Sequence, residues 1–156
     1  MGKIMKKISF VTLSLLLCKS LLANSLPNIW TSGFGQGWLE YKITNKSAQE
    51  LLISCNEGYD DETDHSINFY NGINNTEYNA EELAFIIEGN AYYPLSLPTS
   101  TRNGANNWYE FSSNIAKGET IEVYYNNSKI GEFTPTKGSR NKILKNGLCE
   151  PMLNKL

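Results

Sequence analysis

The chain carries a single histidine, His65, directly after a run of five carboxylates, Glu57, Asp60, Asp61, Glu62 and Asp64. A histidine beside carboxylates can act as a general acid or base, and clustered carboxylates can supply oxygen ligands to Ca²⁺. The spacing argues against both. An EF-hand loop opening at Asp60 would need glycine and glutamate where His65 and Asn71 stand. A zinc site would have to be completed by carboxylates alone, and no GxSxG elbow accompanies His65 to make a nucleophile. The run Gly33-Phe34-Gly35-Gln36-Gly37 lacks both the GxGxxG spacing and the strand-to-helix setting of a phosphate loop. We therefore expect no catalytic, cofactor-binding or metal-ligating residues, a solvated acidic loop, and His65 at a hairpin base or on the surface.

What remains is binding chemistry. Trp30, Trp38, Trp108, Tyr92, Tyr93 and Tyr124 could form an aromatic platform for a sugar or a protein, although most such residues serve as core or cross-strand partners. The longest polar excursions are residues 56–64 and 96–107. The first concentrates negative charge in Asp60, Asp61, Glu62 and Asp64, which would speed encounter with a basic partner. The second adjoins Tyr92, Tyr93 and Trp108, which could supply an aromatic anchor. These seven residues are the candidate partner-binding set.

The elements that must position them read as strands. In residues 38–44 (WLEYKIT), Leu39, Tyr41 and Ile43 alternate with polar neighbours, and residues 50–55 (ELLISC) complete a hairpin. Further strands are expected at 65–70 (HSINFY), 83–88 (LAFIIE), 108–112 (WYEFS), 119–125 (ETIEVYY) and 129–134 (KIGEFT). Residues 31–37 read as a flexible entry, and residues 92–107 as a loop or edge strand because proline removes a ladder donor. Turns are marked by Asn71-Gly72, Gly89-Asn90 and Asn126-Asn127. Asn79 with Glu82 could cap one helical turn, and Ser139 could cap a short helix over residues 140–146. The expected fold class is all-β and mainly antiparallel: a small sandwich or barrel of about seven strands with one or two short helices.

Residues 1–7 (MGKIMKK) place three lysines before the apolar run 8–18 (ISFVTLSLLLC), the pattern of a cleavable export signal too short to span a bilayer. Cleavage is expected after Ala23, with Ser25 the alternative. Leu17 before Cys18 departs from a lipoprotein signal, and Lys6 departs from the myristoylation pattern. Residues 24–156 then form one domain of ten basic and sixteen acidic residues, net charge −6. That sign disfavours nucleic acid and anionic membranes, and no second apolar run is long enough to span. The two cysteines left, Cys55 and Cys149, are expected to pair as a structural disulfide in an oxidising periplasmic or secreted compartment.

The segments Leu83-Ala-Phe-Ile-Ile, Trp108-Tyr-Glu-Phe, Gly118-Glu-Thr-Ile-Glu-Val, Glu132-Phe, Gly138-Ser, Ile143-Leu and the late Cys149 resemble small periplasmic proteins of the invasion-associated locus B type. The likeness covers about 75 residues of core and turn positions, and none of it reaches the N-terminal half. It implies a non-enzymatic exported domain and transfers no functional residue. The expectation from all of this is an envelope or secreted domain that binds another protein, in an inhibitor or immunity-like role. A carbohydrate or cell-wall binder using an aromatic face is the alternative, and an enzyme with paired carboxylates comes third.

Overall fold

A computed structural model describes residues 26–60, 62–78 and 80–155. The expected signal segment with both cleavage sites, Asp61 and the expected cap Asn79 lie outside the described residues.

Among the described residues, nine strands form two antiparallel sheets that pack face to face. The first is a meander of β1 (Thr31–Gly35), β2 (Trp38–Thr44), β3 (Gln49–Asn56), β4 (Ser66–Asn71) and β5 (Thr76–Tyr78), in that order. The second contains β6 (Leu83–Ile87), β7 (Asn90–Tyr92), β8 (Ile121–Tyr125) and β9 (Ser128–Phe133), in the order β7-β6-β8-β9. Helix α1 (Arg102–Ile115) joins β7 to β8, and α2 (Lys137–Ile143) follows β9. The fold is therefore a small sandwich with open edges rather than a closed barrel.

Period-2 alternation builds the core. Tyr41, Ile43, Leu51, Ile53, Cys55, Ile67 and Phe69 face inward from the first sheet; Leu83, Phe85, Ile87, Ile121, Val123 and Phe133 do so from the second. Full burial of each aliphatic or phenyl side chain contributes about 1.5–3 kcal/mol. Register follows from the turns. Gln36 and Gly37, both at positive φ, make the two-residue turn that suits a twisted hairpin and fix Gly35 opposite Trp38. Gly37 is also obligatory on space, since a Cβ there would lie 2.5 Å from the Tyr59 nitrogen. Asn126 and Asn127 adopt the same left-handed pair between β8 and β9, as expected of that turn.

The structure corrects the sequence reading in several places. Residues 31–35 pair with β2 as β1, so the expected flexible entry is an edge strand. Strands β5 and β7 add three residues each to the sheets. The 3-10 turn near Asn79 covers Ala80–Glu82. Trp108 to Ser112 is no strand, because it lies inside α1. The aromatic content of WYEFS favours β structure only in isolation. In context, Ala105, Trp108, Phe111, Ser112 and Ile115 recur every three or four residues and are all buried, which is the helical period. Thr101 caps this helix, its Oγ1 accepting from Gly104 N at 3.1 Å. Helix α2 starts three residues earlier than expected, since Thr136 and not Ser139 is the cap: Ser139 N donates to Thr136 Oγ1 at 3.3 Å.

Candidate partner-binding site

Two loops that are distant in sequence meet at one end of the sandwich. The link between them is Asp64, whose carboxylate accepts from Thr99 N at 2.6 Å and from the Thr99 hydroxyl. Thr99 is fully buried and its hydroxyl also accepts from Met152 N, so it ties both loops to residues 148–154, the C-terminal strap that follows α2. The acidic loop is held from within by Asn56, which is also buried. Its amide nitrogen donates to the carbonyls of Asp60 and Thr63 at 2.6 and 2.7 Å, while its oxygen accepts from Gly58 N and Tyr59 N. Asp60 closes the turn beyond, accepting from Glu62 N, Thr63 N and the Thr63 hydroxyl. The Thr63 bonds, hydroxyl first, hold the Asp60 carboxyl below its usual range.

His65 is a core residue. Its Nδ1 accepts from Asn56 N at 3.0 Å, and its Nε2 lies 2.8 Å from the Glu150 carbonyl, which places the proton on Nε2. The ring stacks 4.6 Å from Trp108, and burial pushes its pKa below the ordinary 6.5. Both nitrogens are engaged, so His65 occupies a buried strand base.

Trp108 departs most from expectation. It is fully buried, and its Nε1 donates to the Cys149 carbonyl at 2.8 Å, so it is an anchor for the strap and not for a partner. Cys149 is bonded to Cys55 with an S–S distance of 2.11 Å across 94 residues of sequence. Tyr92 is half-buried against the core, and Tyr93, 54% exposed, faces solvent. Of the wider aromatic set, Trp30 is core, Trp38 packs on Tyr59 with ring centres 5.3 Å apart, and Tyr124 is half-buried.

These residues frame two abutting clefts. One, of about 530 Å³, lies between the loops and is lined by Glu62, Asp64, Glu81, Leu95, Leu97 and Pro98, among others. The other, of about 490 Å³, lies on the outer face of the second sheet over Ala84 and Ile86, between Tyr93 and Tyr124 and beside Glu81 and Glu82. Glu81 lines both, so they form one groove with apolar patches and four carboxylates. No lysine or arginine lines it. Lys129, the cation nearest in register to Tyr124, is engaged by Glu122 and Glu132 at 2.5 Å each. The structure therefore brings Glu62, Asp64 and Tyr93 of the expected set into one groove, keeps Asp60 as a turn-former beside it, and withdraws Trp108 to the core. Glu81, Glu82 and Tyr124 join it; Glu82 was legible only as part of a possible helix cap, and Glu81 gave no signal of its own.

Charge of the other sign gathers at α2. Lys117, Arg140 and Lys145 line a separate cleft of about 530 Å³. There the buried Arg140 guanidinium donates to the Lys117 carbonyl and faces Glu119 at 3.6 Å, clamping the end of α1 to α2. Among the described residues, no group of three or more His, Cys, Asp or Glu side chains is placed to hold a metal ion, and no helix is long and apolar enough to cross a membrane.

Comparison with known proteins brings one family forward. The sequence model of the YfjT family matches residues 28–143, from just before β1 to the end of α2. A protein of Escherichia coli strain K12 described as uncharacterized protein YfjT is 29% identical over 129 residues, covering 80% of this chain and 83% of its own. A second from that strain, described as uncharacterized protein YkfB, is 26% identical over 132 residues, covering 82% and 85%. These matches carry no information on the invasion-associated locus B type. No solved structure matches the chain.

Proposed function

The chain belongs to the YfjT family, and for this member of it we propose a non-enzymatic binding protein whose acidic groove docks a basic surface of another protein. The observation that carries this reading is the groove itself: Glu62, Asp64, Glu81 and Glu82 along a surface with Tyr93, Leu97 and Ile86, and no cation among its lining residues. A one-signed field of this kind steers a basic partner, and partly exposed aromatic and aliphatic groups beside it give the encounter an apolar contact. An inhibitor or immunity-like role suits such a surface on a small domain. The engaged ring of His65 supports the absence of catalysis, since neither nitrogen is free to take a substrate proton.

The proposal includes place. A disulfide that ties β3 to the C-terminal strap suits an oxidising compartment, and residues 1–23 have the pattern of an export signal. Intact-mass analysis of the exported protein should give a chain starting at Asn24 or Leu26, and retention of Met1 would contradict the compartment.

The test of the groove uses crosslinking and mass spectrometry on envelope fractions with the wild-type chain and the triple variant Glu62→Gln, Glu81→Gln, Glu82→Gln. One stoichiometric protein should crosslink to the wild type and be lost from the variant at unchanged melting temperature. Equal recovery by both chains would remove the groove from the interface. A carbohydrate reading draws on Tyr93, Tyr124, Asn126 and Asn127 lining one cleft. Retention on glycan or peptidoglycan beads that Tyr93→Ala abolishes would favour it over a protein partner.

A further inference from the structure

The edges of the two sheets are not protected alike. β5 and β7 are three residues long, and β9 carries Lys129 opposite a register shift between Val123 and Tyr124. Short strands, lysines and bulges are the usual ways of discouraging edge pairing. β1, the remaining edge, has five exposed residues (TSGFG) with no charge and no proline. Gly35 and Trp38 close the hairpin as a hydrogen-bonded pair, and so by alternation do Gly33 with Glu40. The N–H and C=O groups of Ser32 and Phe34 therefore point away from β2. Among the described residues no hydrogen bond reaches them.

This open edge forms one wall of a cleft of about 480 Å³. Ile29 and Trp30, just before the strand, and Thr31 and Ser32 at its start line it, so the cleft meets β1 at the N-terminal end of its open edge. The other wall is the start and one face of α2, with Lys142 and Ile143 lining it and an open position beside Gly138, where a Cβ would meet nothing within 4 Å. Trp30 is the buried aromatic of this wall. Its indole Nε1 is buried with no acceptor, although buried donors in folded proteins are nearly always paired. The charge is also defined: Lys142 is the one charged side chain among the residues lining the cleft, and it is exposed, with no carboxylate beside it in that lining.

We propose that the cleft between β1 and α2 receives an extended acidic peptide of a partner protein, which adds to the first sheet as a sixth strand. Its main chain pairs with Ser32 and Phe34, an apolar side chain enters the cleft between Trp30 and Ile143, and an acidic side chain meets Lys142. Main-chain pairing supplies affinity in this mode, and the pocket and the lysine supply selectivity. The surface is separate from the acidic groove and takes a ligand of opposite charge, so either assignment can fail without the other.

The experiment selects a phage-displayed library of random nonapeptides against the full chain. The selected peptides are then titrated against the wild type, Lys142→Glu, Phe34→Pro and the groove triple variant. Lys142 and Phe34 are exposed, and proline is tolerated where an edge N–H faces outward. Peptides enriched in Asp or Glu with alternating apolar residues should emerge and should protect the Ser32 and Phe34 amides from hydrogen exchange. Binding should weaken by about tenfold or more in Lys142→Glu and in Phe34→Pro, and remain unchanged in the groove variant. Selected peptides that bind both edge variants as tightly as the wild type would overturn the proposal, as would a selection yielding no acidic peptide. Should Phe34→Pro fail to fold, Lys142→Glu and the exchange pattern decide the matter. A dimer in sedimentation equilibrium that Phe34→Pro dissolves would assign the edge to a second copy, and would equally overturn the partner peptide.

Discussion

At one end of the sandwich the disulfide, His65 and Trp108 tie the ends of β3 and β4 to the C-terminal strap; at the other, the turn between β2 and β3 rests on β9 through Asn45 and Gln49. The second end is mostly regular. Gln49 Nε2 donates to the Ile130 carbonyl at 2.7 Å and Asn45 Nδ2 to that of Glu132 at 2.9 Å, while Phe69 meets Phe133 edge-on beneath them. The first end is built from loops and a strap that no sheet pairs. There each backbone group must find a side chain, and Asn56, His65, Thr99, Trp108 and Ser112 supply them. The acidic groove adjoins this irregular end. Its shape therefore depends on a covalent bond and a few buried polar contacts, whereas the opposite end depends on strand register and packing.

Removing the disulfide should separate the two ends most. Cys149→Ser opens a connection spanning 94 residues, and the entropy model puts the loss at up to about 4–5 kcal/mol. Urea unfolding monitored with hydrogen exchange should show residues 56–65 and 95–101 opening before β8 and β9. Uniform loss of protection at both ends would make the strap a passive tail.

Thr99→Val sharpens the contrast. It leaves Asp64 and Met152 N without the hydroxyl and should cost about 1–3 kcal/mol, since a buried partner is left unmet. Gln49→Ala at the other end removes two side-chain bonds, one to the Ile130 carbonyl and one from Asn45 Nδ2, among many strand contacts and should cost about 1–2 kcal/mol. Combined with Cys149→Ser, the Thr99 variant should be non-additive and the Gln49 variant additive, because only the former shares the strap. Additivity of both would deny that the groove end unfolds as a unit.

The pH dependence is smaller and belongs to the first end alone. Burial holds the His65 imidazole below 6.5, outweighing the Glu150 carbonyl and Asp64, which favour the charged ring. The unfolded chain therefore takes up a proton that the folded chain resists, so stability is full above about 6.5 and is lost as pH falls below it. The melting temperature should drop between pH 7 and 5.5, above the range in which Asp60, Glu88 and Glu122, all shifted downward, begin to titrate. His65→Gln should flatten that slope, and an unchanged slope would place the sensitivity elsewhere.

The same contrast explains what could be read from the sequence. β2, β3, β4, β8 and β9 announce themselves by inward residues at every second position and β6 by its apolar run, and Cys55 with Cys149 follows from there being no third cysteine beyond the expected signal. The error at residues 108–112 arose from weighing five aromatic-rich residues alone, when the buried period runs from Ala105 to Ile115. β1 was missed because its glycines carry no pattern; only its pairing with β2 makes it a strand. The acidic loop was visible as charge, but its organisers, Asn56 and Thr99, are single polar residues whose importance lies in contacts across 7 to 53 positions of sequence. The groove was half legible for the same reason. Glu62, Asp64 and Tyr93 stood out by type, whereas Glu81 and Tyr124 acquire meaning only once the loops lie beside the second sheet.

The claim that the groove steers a basic partner is tested most directly by association kinetics over a range of salt. With the crosslinked envelope protein in hand, stopped-flow association with the wild-type chain should slow steeply as ionic strength rises. Charge steering accelerates encounter by about 10–10³-fold at low salt. The variant Glu62→Gln, Glu81→Gln, Glu82→Gln should associate slowly at every ionic strength, with a flat salt dependence and an unaltered melting temperature. An association rate equal to that of the wild type, with the same salt slope, would contradict the account and move the interface off the groove.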